Sequence, residues 1–176
     1  VDGRPDGEAA FAAAVDAAGA GLSRGEALQV GLDTEWEDPR PLSLVQLAVS
    51  AGGAWDAAVF LVDMLAPPSR AVLECCRRLL SVAPGTPHEV FVFSAHEDRR
   101  RLGVAGVLPR LAGEHGAEAG GQKEDGAKDL GWVDLQQCPW GLGASPSLRA
   151  VVRQQLGANF DKRLQRSNWD RRPLSQ

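Results

Sequence analysis

Two acidic side chains, Asp33 and Glu35, alternate on a short apolar run at residues 30–36. In an extended strand the side chains at i and i+2 project from the same face, so these two carboxylates point together. A third acid, Asp98, follows a second apolar run at residues 90–93. Grouped carboxylates repel one another unless they share a proton or bind a cation. We therefore predict that Asp33, Glu35 and Asp98 are metal ligands and catalytic residues.

The chemistry that such a site supports is hydrolysis of a phosphodiester. Carboxylate oxygens suit Mg²⁺ or Mn²⁺, and two such ions roughly 4 Å apart can activate a water and stabilise the leaving oxygen. Each acid also has a simpler interpretation. An Asp-x-Glu pair occurs on exposed strands, and an acid such as Asp98 often only stabilises a helix N-terminus. It is the combination on one frame of strands and helices that favours the metal site.

The elements that must position these acids follow from hydrophobic periodicity. Short turns between the first three strand patterns predict an antiparallel meander. Helical spacing then alternates with two further strand patterns, which predicts the order βββαβαβα. The fold class is therefore α/β, with a mixed five-stranded sheet, three antiparallel strands and then parallel strands, flanked by helices. The predicted strands are 28–36, 42–50, 58–64, 89–94 and 132–135, and the predicted helices begin near residues 69, 96 and 147.

The chain of 176 residues is long enough for one domain with a sizeable core. We predict a weakly helical or disordered segment at residues 1–27 and one domain at residues 28–176. Residues 112–129 are rich in glycine and charge, which is typical of a loop or insertion. The chain starts at Val1 and its only methionine is Met64, so it is predicted to be a piece of a longer protein.

Charge and hydropathy bear on whether the protein binds nucleic acid or a membrane. The net charge is −4, yet seven basic and only two acidic residues lie between Arg149 and Arg172. Such a stretch suits a phosphate polymer or simply a solvated surface. No apolar run approaches the length of about 18 residues that a membrane span needs, and no signal-peptide pattern is present. We predict an intracellular protein, cytoplasmic or nuclear, whose three cysteines stay reduced.

Several ordered segments share the pattern of one enzyme family. Residues 30–36 and 44–48 match a first motif, and residues 93–102, where Asp98 opens a helix and Leu102 follows four residues later, match a second. Further matches lie at 133–136, 147–157, 161–162, 165–169 and 172–175. Together they resemble the DnaQ-like (DEDD) 3′–5′ exonucleases, within them the ribonuclease D and Werner-type branch, and most of all the Nibbler-type or mutator-type enzymes.

The resemblance implies an RNase H-like fold, two divalent metal ions (Mg²⁺ or Mn²⁺) and removal of nucleotides from the 3′ end of a single-stranded nucleic acid, with RNA favoured. It carries Asp33, Glu35 and Asp98 over as ligands, with Glu35 also orienting the attacking water or the terminal 3′ hydroxyl. Nucleic-acid contacts are predicted at four positions: Thr34, Trp36, Arg166 and Arg172. Trp36 is equally suited to core packing.

The chain departs from the family at its end. In this branch a final helix supplies a Tyr and, four residues later, the last Asp, but this chain contains no tyrosine and ends at Gln176. We therefore predict that this chain is inactive or impaired. The alternative is a non-catalytic nucleic-acid-binding or protein-interaction module on the same fold. Asp134 is interpreted as a structural acid at a strand end, near enough to the site to support it.

Overall fold

A computed structural model describes residues 5–37, 41–52, 57–109 and 131–159. The predicted α/β order is confirmed within these ranges, with one additional helix at the start. The elements are α1 (Pro5–Ser23), β1 (Leu28–Trp36), β2 (Leu42–Ala51), β3 (Ala58–Asp63), α2 (Arg70–Leu80), β4 (His88–Val92), α3 (Ala95–Val104), β5 (Trp132–Asp134) and α4 (Leu148–Leu156).

Strand β1 lies at the centre of a mixed five-stranded sheet with the order β3-β2-β1-β4-β5. It pairs antiparallel with β2, which pairs antiparallel with β3. On its other side β1 pairs parallel with β4, and β4 pairs parallel with β5. The prediction of three antiparallel strands followed by parallel strands is thus confirmed. As a result, the ends of β1 and β4 lie at the same edge of the sheet.

The hydrophobic core lies on one face of this sheet. Leu28, Val30 and Leu32 alternate along β1 and are buried, whereas Gln29 and Asp33 on the other face are exposed. Helix α2 covers this face with residues at i, i+3 and i+4 spacing, among them Val72, Cys76 and Leu79. Burying an aliphatic side chain of this kind contributes about 1.5–3 kcal/mol, so this face drives folding. The opposite face carries polar side chains beside the buried Leu44.

Helix α1 forms part of the same core, where the sequence predicted a weak helix or disorder. Its buried residue Phe11 lies against Phe60 of β3, with ring centroids 4.8 Å apart. Asp16 of α1 pairs with Arg78 of α2 at 2.7 Å between Oδ1 and Nη1. Tertiary packing therefore compensates for the weak amphipathic pattern of this segment.

Strand β4 ends two residues earlier than predicted, and α3 begins one residue earlier. The strand ends at Val92, and Ser94 adopts the left-handed conformation with φ 68° and ψ 61°. The backbone amides of Ser94 and Ala95 donate to the carboxylate of Asp134 at 3.0 and 3.1 Å. This contact turns the chain out of the sheet and starts α3 at Ala95.

The sequence also led to predictions about the cysteines, membrane spans and a glycine-rich insertion. Cys75, Cys76 and Cys138 are free thiols, and burial raises the pKa of Cys76 to about 12. Within the described ranges no helix combines the length and apolar character required to cross a membrane. The glycine-rich insertion at 112–129 lies outside the described residues.

Candidate active site

Asp33 and Glu35 lie on the face of β1 that is opposite the core, as the alternation predicted. Asp33 is exposed and Glu35 is half-buried, while Leu32 and Thr34 between and beside them are buried. The register of the sheet pairs Asp33 with Gln46 and Glu35 with Leu44 on β2. The two carboxylates therefore share one surface near the end of the central strand.

Gln46 joins the two acids. Its side-chain Nε2 donates to Oδ2 of Asp33 at 3.3 Å and to Oε1 of Glu35 at 3.2 Å. The sequence analysis included Gln46 in the predicted strand 42–50 but assigned it no role. The available signal was the antiparallel meander, because it brings β2 side chains directly opposite those of β1.

Asp98 reaches this region from the first turn of α3, with only 5% of its surface exposed. The hydroxyl of Thr34 donates to Oδ1 of Asp98. Thr34 is itself buried, since it lies on the core face of β1. The parallel pairing of β1 and β4 makes this contact possible, because α3 begins just beyond the end of β4. The Thr34 side chain thus binds Asp98, so that only the backbone of Thr34 is available for the predicted contact with a nucleotide.

Burial and the charges of neighbouring acids raise the pKa values of Glu35 and Asp98. Burial, and then the charges of Asp33 and Asp98, raise the pKa of Glu35 to about 7, against the opposing hydrogen bond from Gln46. Burial is also the main cause that raises the pKa of Asp98 to about 7; the hydrogen bond from Thr34 lowers it, and nearby acids including Asp33 raise it further. Near neutral pH this cluster carries negative charge that a bound cation would stabilise.

The donor set fits a hard divalent cation in chemistry and charge, since it offers carboxylate oxygens that repel one another. Among the described residues, however, no three or more His, Cys, Asp or Glu side chains are already arranged to hold a metal ion. Asp98 instead accepts a hydrogen bond from Thr34, whose side chain lies on the core face of β1. The assignment of Asp33, Glu35 and Asp98 as ligands accordingly stays a prediction.

Trp36 has a partner that the sequence interpretation did not include. The guanidinium carbon of Arg101, from α3, lies 5.0 Å from the centre of the Trp36 ring, and Arg101 is 7% exposed. Its Nε donates to Oε1 of Glu97 at 2.9 Å. A cation over an indole is attractive, so the half-buried Trp36 is fixed against α3. The i, i+4 spacing of Glu97 and Arg101 was the signal available in the sequence.

Asp134 has the structural role that was predicted for it. Besides the amides of Ser94 and Ala95, its carboxylate accepts a hydrogen bond from the backbone N–H of Gln136 at 2.9 Å. Negative charge is stabilised at a helix N-terminus, and here it comes from a neighbouring strand. Asp134 therefore fixes the start of α3, the helix that carries Asp98.

The basic stretch near the end of the chain supplies two predicted nucleic-acid contacts. Arg166 and Arg172 lie outside the described residues. From the same basic stretch, Arg149 and Arg153 belong to α4, whose N-terminus is capped by Ser147. They line an open pocket of about 500 Å³ together with Leu142 and Ser147. This pocket is formed by α4 and the segment before it.

Comparison with known proteins gives a consistent result. No protein-family model matches the chain. The human protein "Exonuclease mut-7 homolog" (Homo sapiens) is 32% identical over 166 residues, which cover 84% of this chain and 17% of that relative. The chain thus spans about a sixth of the length of the curated relative that it matches.

Two solved structures share the fold. The crystal structure of Escherichia coli RNase D, "an exoribonuclease involved in structured RNA processing", has a TM-score of 0.63 at 21% identity, covering 95% of this chain and 36% of that one. The Aedes aegypti Nibbler EXO domain has a TM-score of 0.62 at 19% identity, covering 94% of this chain and 73% of that one. With the RNase H-like fold and the related sequence together, the chain is similar to 3′–5′ exonuclease domains of the DnaQ-like type.

Proposed function

We propose that this domain hydrolyses phosphodiester bonds at the 3′ end of a single-stranded nucleic acid, with RNA as the favoured substrate. The observation that supports this proposal most directly is geometric: Asp33 and Glu35 share one face of β1 and the amide of Gln46, and Asp98 reaches the same end of the sheet from α3. Sequence similarity to the exonuclease mut-7 homolog adds to it. The preference for RNA rests on the family resemblance and on RNase D, a neighbour described as an exoribonuclease.

In this proposal Asp33, Glu35 and Asp98 hold divalent cations, Mg²⁺ or Mn²⁺. When bound, these ions would supply activation of the attacking water and stabilisation of the leaving oxygen. Glu35 would orient that water or the terminal 3′ hydroxyl, because it is half-buried beside the exposed Asp33. Asp98 would use a carboxylate whose position is set by Thr34.

The nucleic-acid contacts remain proposals as well. The ring of Trp36 lies next to Glu35 in the chain and is held by Arg101, so an exposed part of it is suited to stack on a terminal base. The Thr34 backbone would lie beside the same nucleotide. Arg166 and Arg172 are proposed to bind phosphates. The location of the protein, cytoplasmic or nuclear, stays a prediction.

The test is degradation of 5′-labelled single-stranded RNA and DNA of the same sequence in Mn²⁺. It compares this chain, a longer form that continues beyond Gln176, and the Asp33→Asn variant of each. We expect a ladder of products that shorten from the 3′ end, with RNA degraded faster, in the longer form at least. Asp33→Asn should abolish it, whereas Glu89→Gln, which neutralises an exposed acid on β4, should not.

The outcomes separate the two candidate functions. A ladder that requires Asp33 supports the exonuclease. RNA binding without degradation in every form would contradict it and would favour the non-catalytic binding module. Equal rates on DNA and RNA would contradict only the proposed preference for RNA.

A further inference from the structure

We propose that Gln46 is a positioning residue that holds Asp33 and Glu35 as a pair for cation binding; this inference rests on the proposed function, in which those two acids are ligands. Gln46 itself would not contact the cation. Its role is to fix the orientation of two carboxylates that come from one strand, using a side chain from the neighbouring strand.

The sheet register explains why Gln46 can reach both acids. Gln46 is the cross-strand partner of Asp33, and both project from the face opposite the core. Glu35 lies two residues further along the same face. Successive side chains on one face of a strand are separated by roughly 6.6 Å at the backbone, so a group from the next strand is well placed to bridge them. The amide Nε2 of Gln46 lies 3.3 Å from one acid and 3.2 Å from the other.

The chemistry of an amide suits this role. Its nitrogen carries two hydrogens, which allows one hydrogen bond to each carboxylate, and it has no charge. It therefore stabilises both acids in their ionised form without offering a positive charge that would compete with a metal ion. An ionised carboxylate has about four acceptor positions on its two oxygens, so one hydrogen bond to a single oxygen is compatible with coordination of a cation.

The same sheet contains a matched control. Gln29 of β1 donates from its Nε2 to Oε2 of Glu89 on β4 at 3.3 Å. This pair is also cross-strand, since Gln29 lies opposite Glu89 in the register, and it is exposed. It differs from Gln46 in contacting one carboxylate rather than two and in lying away from Asp33 and Glu35. Loss of the Gln29 contact should therefore leave cation binding unchanged.

The experiment measures Mn²⁺ binding by calorimetry, with no nucleic acid present, for the wild type, Gln46→Met and Gln29→Met. Methionine keeps the length of the side chain and removes its hydrogen bonds. We expect Gln46→Met to weaken Mn²⁺ binding by about 10-fold, at the lower end of the effect of residues that orient ligands, while Gln29→Met matches the wild type. Thermal unfolding without metal should be the same for both variants. Gln46→Asn, which keeps the amide on a shorter side chain, should bind Mn²⁺ more weakly than the wild type and at least as tightly as Gln46→Met.

Three results would overturn the inference: unchanged Mn²⁺ binding in Gln46→Met; tighter binding in that variant, which would make Gln46 a competitor of the cation; and no Mn²⁺ binding by the wild type, which would also remove the proposed ligands. A loss specific to Gln46, in a protein that degrades no RNA, would support the inference while contradicting the proposed hydrolysis.

Discussion

On one face of β1, Asp33 and Glu35 stay within reach of solvent and share the amide of Gln46, whereas on the other face the buried Thr34 binds Asp98. The two contacts are chemically similar, because each is a neutral donor to a carboxylate. Their surroundings differ. Loss of a hydrogen bond in a solvated place changes stability little, whereas a buried acid left without its donor costs about 1–3 kcal/mol. We infer that the exposed face is organised for a ligand and the buried face for the fold.

The largest expected effect is the loss of nuclease activity on substitution of Asp98, which is both a proposed ligand and a buried acceptor of a hydrogen bond. Asp98→Asn keeps an oxygen that can accept from Thr34 but removes the charge. We expect nuclease activity to fall by more than about 100-fold, beyond the range typical of residues that only orient ligands, with folding stability unchanged or raised. Rates of RNA hydrolysis and urea midpoints measure the two parts. Retained activity would mean that Asp98 has only a structural role, through its buried contact with Thr34.

Next in size is the effect of removing the acid that starts α3. Asp134→Ala leaves three backbone N–H groups without their acceptor, so we expect a loss of about 2 kcal/mol in unfolding free energy, at the upper end for a helix cap. Urea denaturation measures it. The control is Asp16→Ala, which breaks an exposed pair with Arg78 and should cost no more than about 1 kcal/mol. Equal losses in the two variants would contradict a special role for Asp134.

A more moderate effect is expected for Thr34, the donor on the buried face. Thr34→Val keeps the shape of the side chain and removes the hydroxyl, which should destabilise the fold by about 1–2 kcal/mol at pH 8, where Asp98 is mostly ionised. Thr34→Ser keeps the hydroxyl and should recover most of that loss. Chemical denaturation of both variants decides it. If Val is as stable as Thr, then the hydroxyl contact does not stabilise Asp98.

The smallest effect is a pH dependence at the far end of the core face. His88 lies opposite Leu28 of β1, and its Nε2 is 2.9 Å from the carbonyl oxygen of Leu79. Burial lowers the pKa of His88, so the unfolded chain takes up the proton at higher pH than the folded protein does. The contribution of His88 is therefore complete above its unfolded pKa of about 6.5 and is lost as pH falls below that value, by less than about 1.4 kcal/mol per pH unit.

The check is the urea midpoint at pH 7.5 and 5.5 for the wild type and His88→Gln. The wild type should lose more stability than the variant over this interval. Acids whose pKa is raised, such as Glu35, act in the opposite direction, but they are shared by both proteins and cancel in the comparison. An equal change in the two proteins would show that His88 does not titrate differently on folding.

The helices show how local pattern and tertiary packing divide the prediction. For α2 the residues at helical spacing after Ser69 were sufficient, because Ser69 accepts a hydrogen bond from Val72 N and the apolar stripe faces the core. For α1 the pattern was weak, and the helix is stabilised by contacts such as Phe11 with Phe60, whose positions are far apart in sequence. The early end of β4 was also not predictable locally, because Asp134 lies 40 residues from Ser94.

The sequence by itself determined the order of strands and helices along the chain. It also determined that Asp33 and Glu35 share a face, because side-chain direction alternates with period two along any strand. Only the tertiary structure decided what holds the three acids. Gln46 lies 13 residues from Asp33, and Thr34 lies 64 residues from Asp98. Such contacts depend on register and on the packing of α3 against the sheet, and a slip of one residue would turn each side chain to the opposite face.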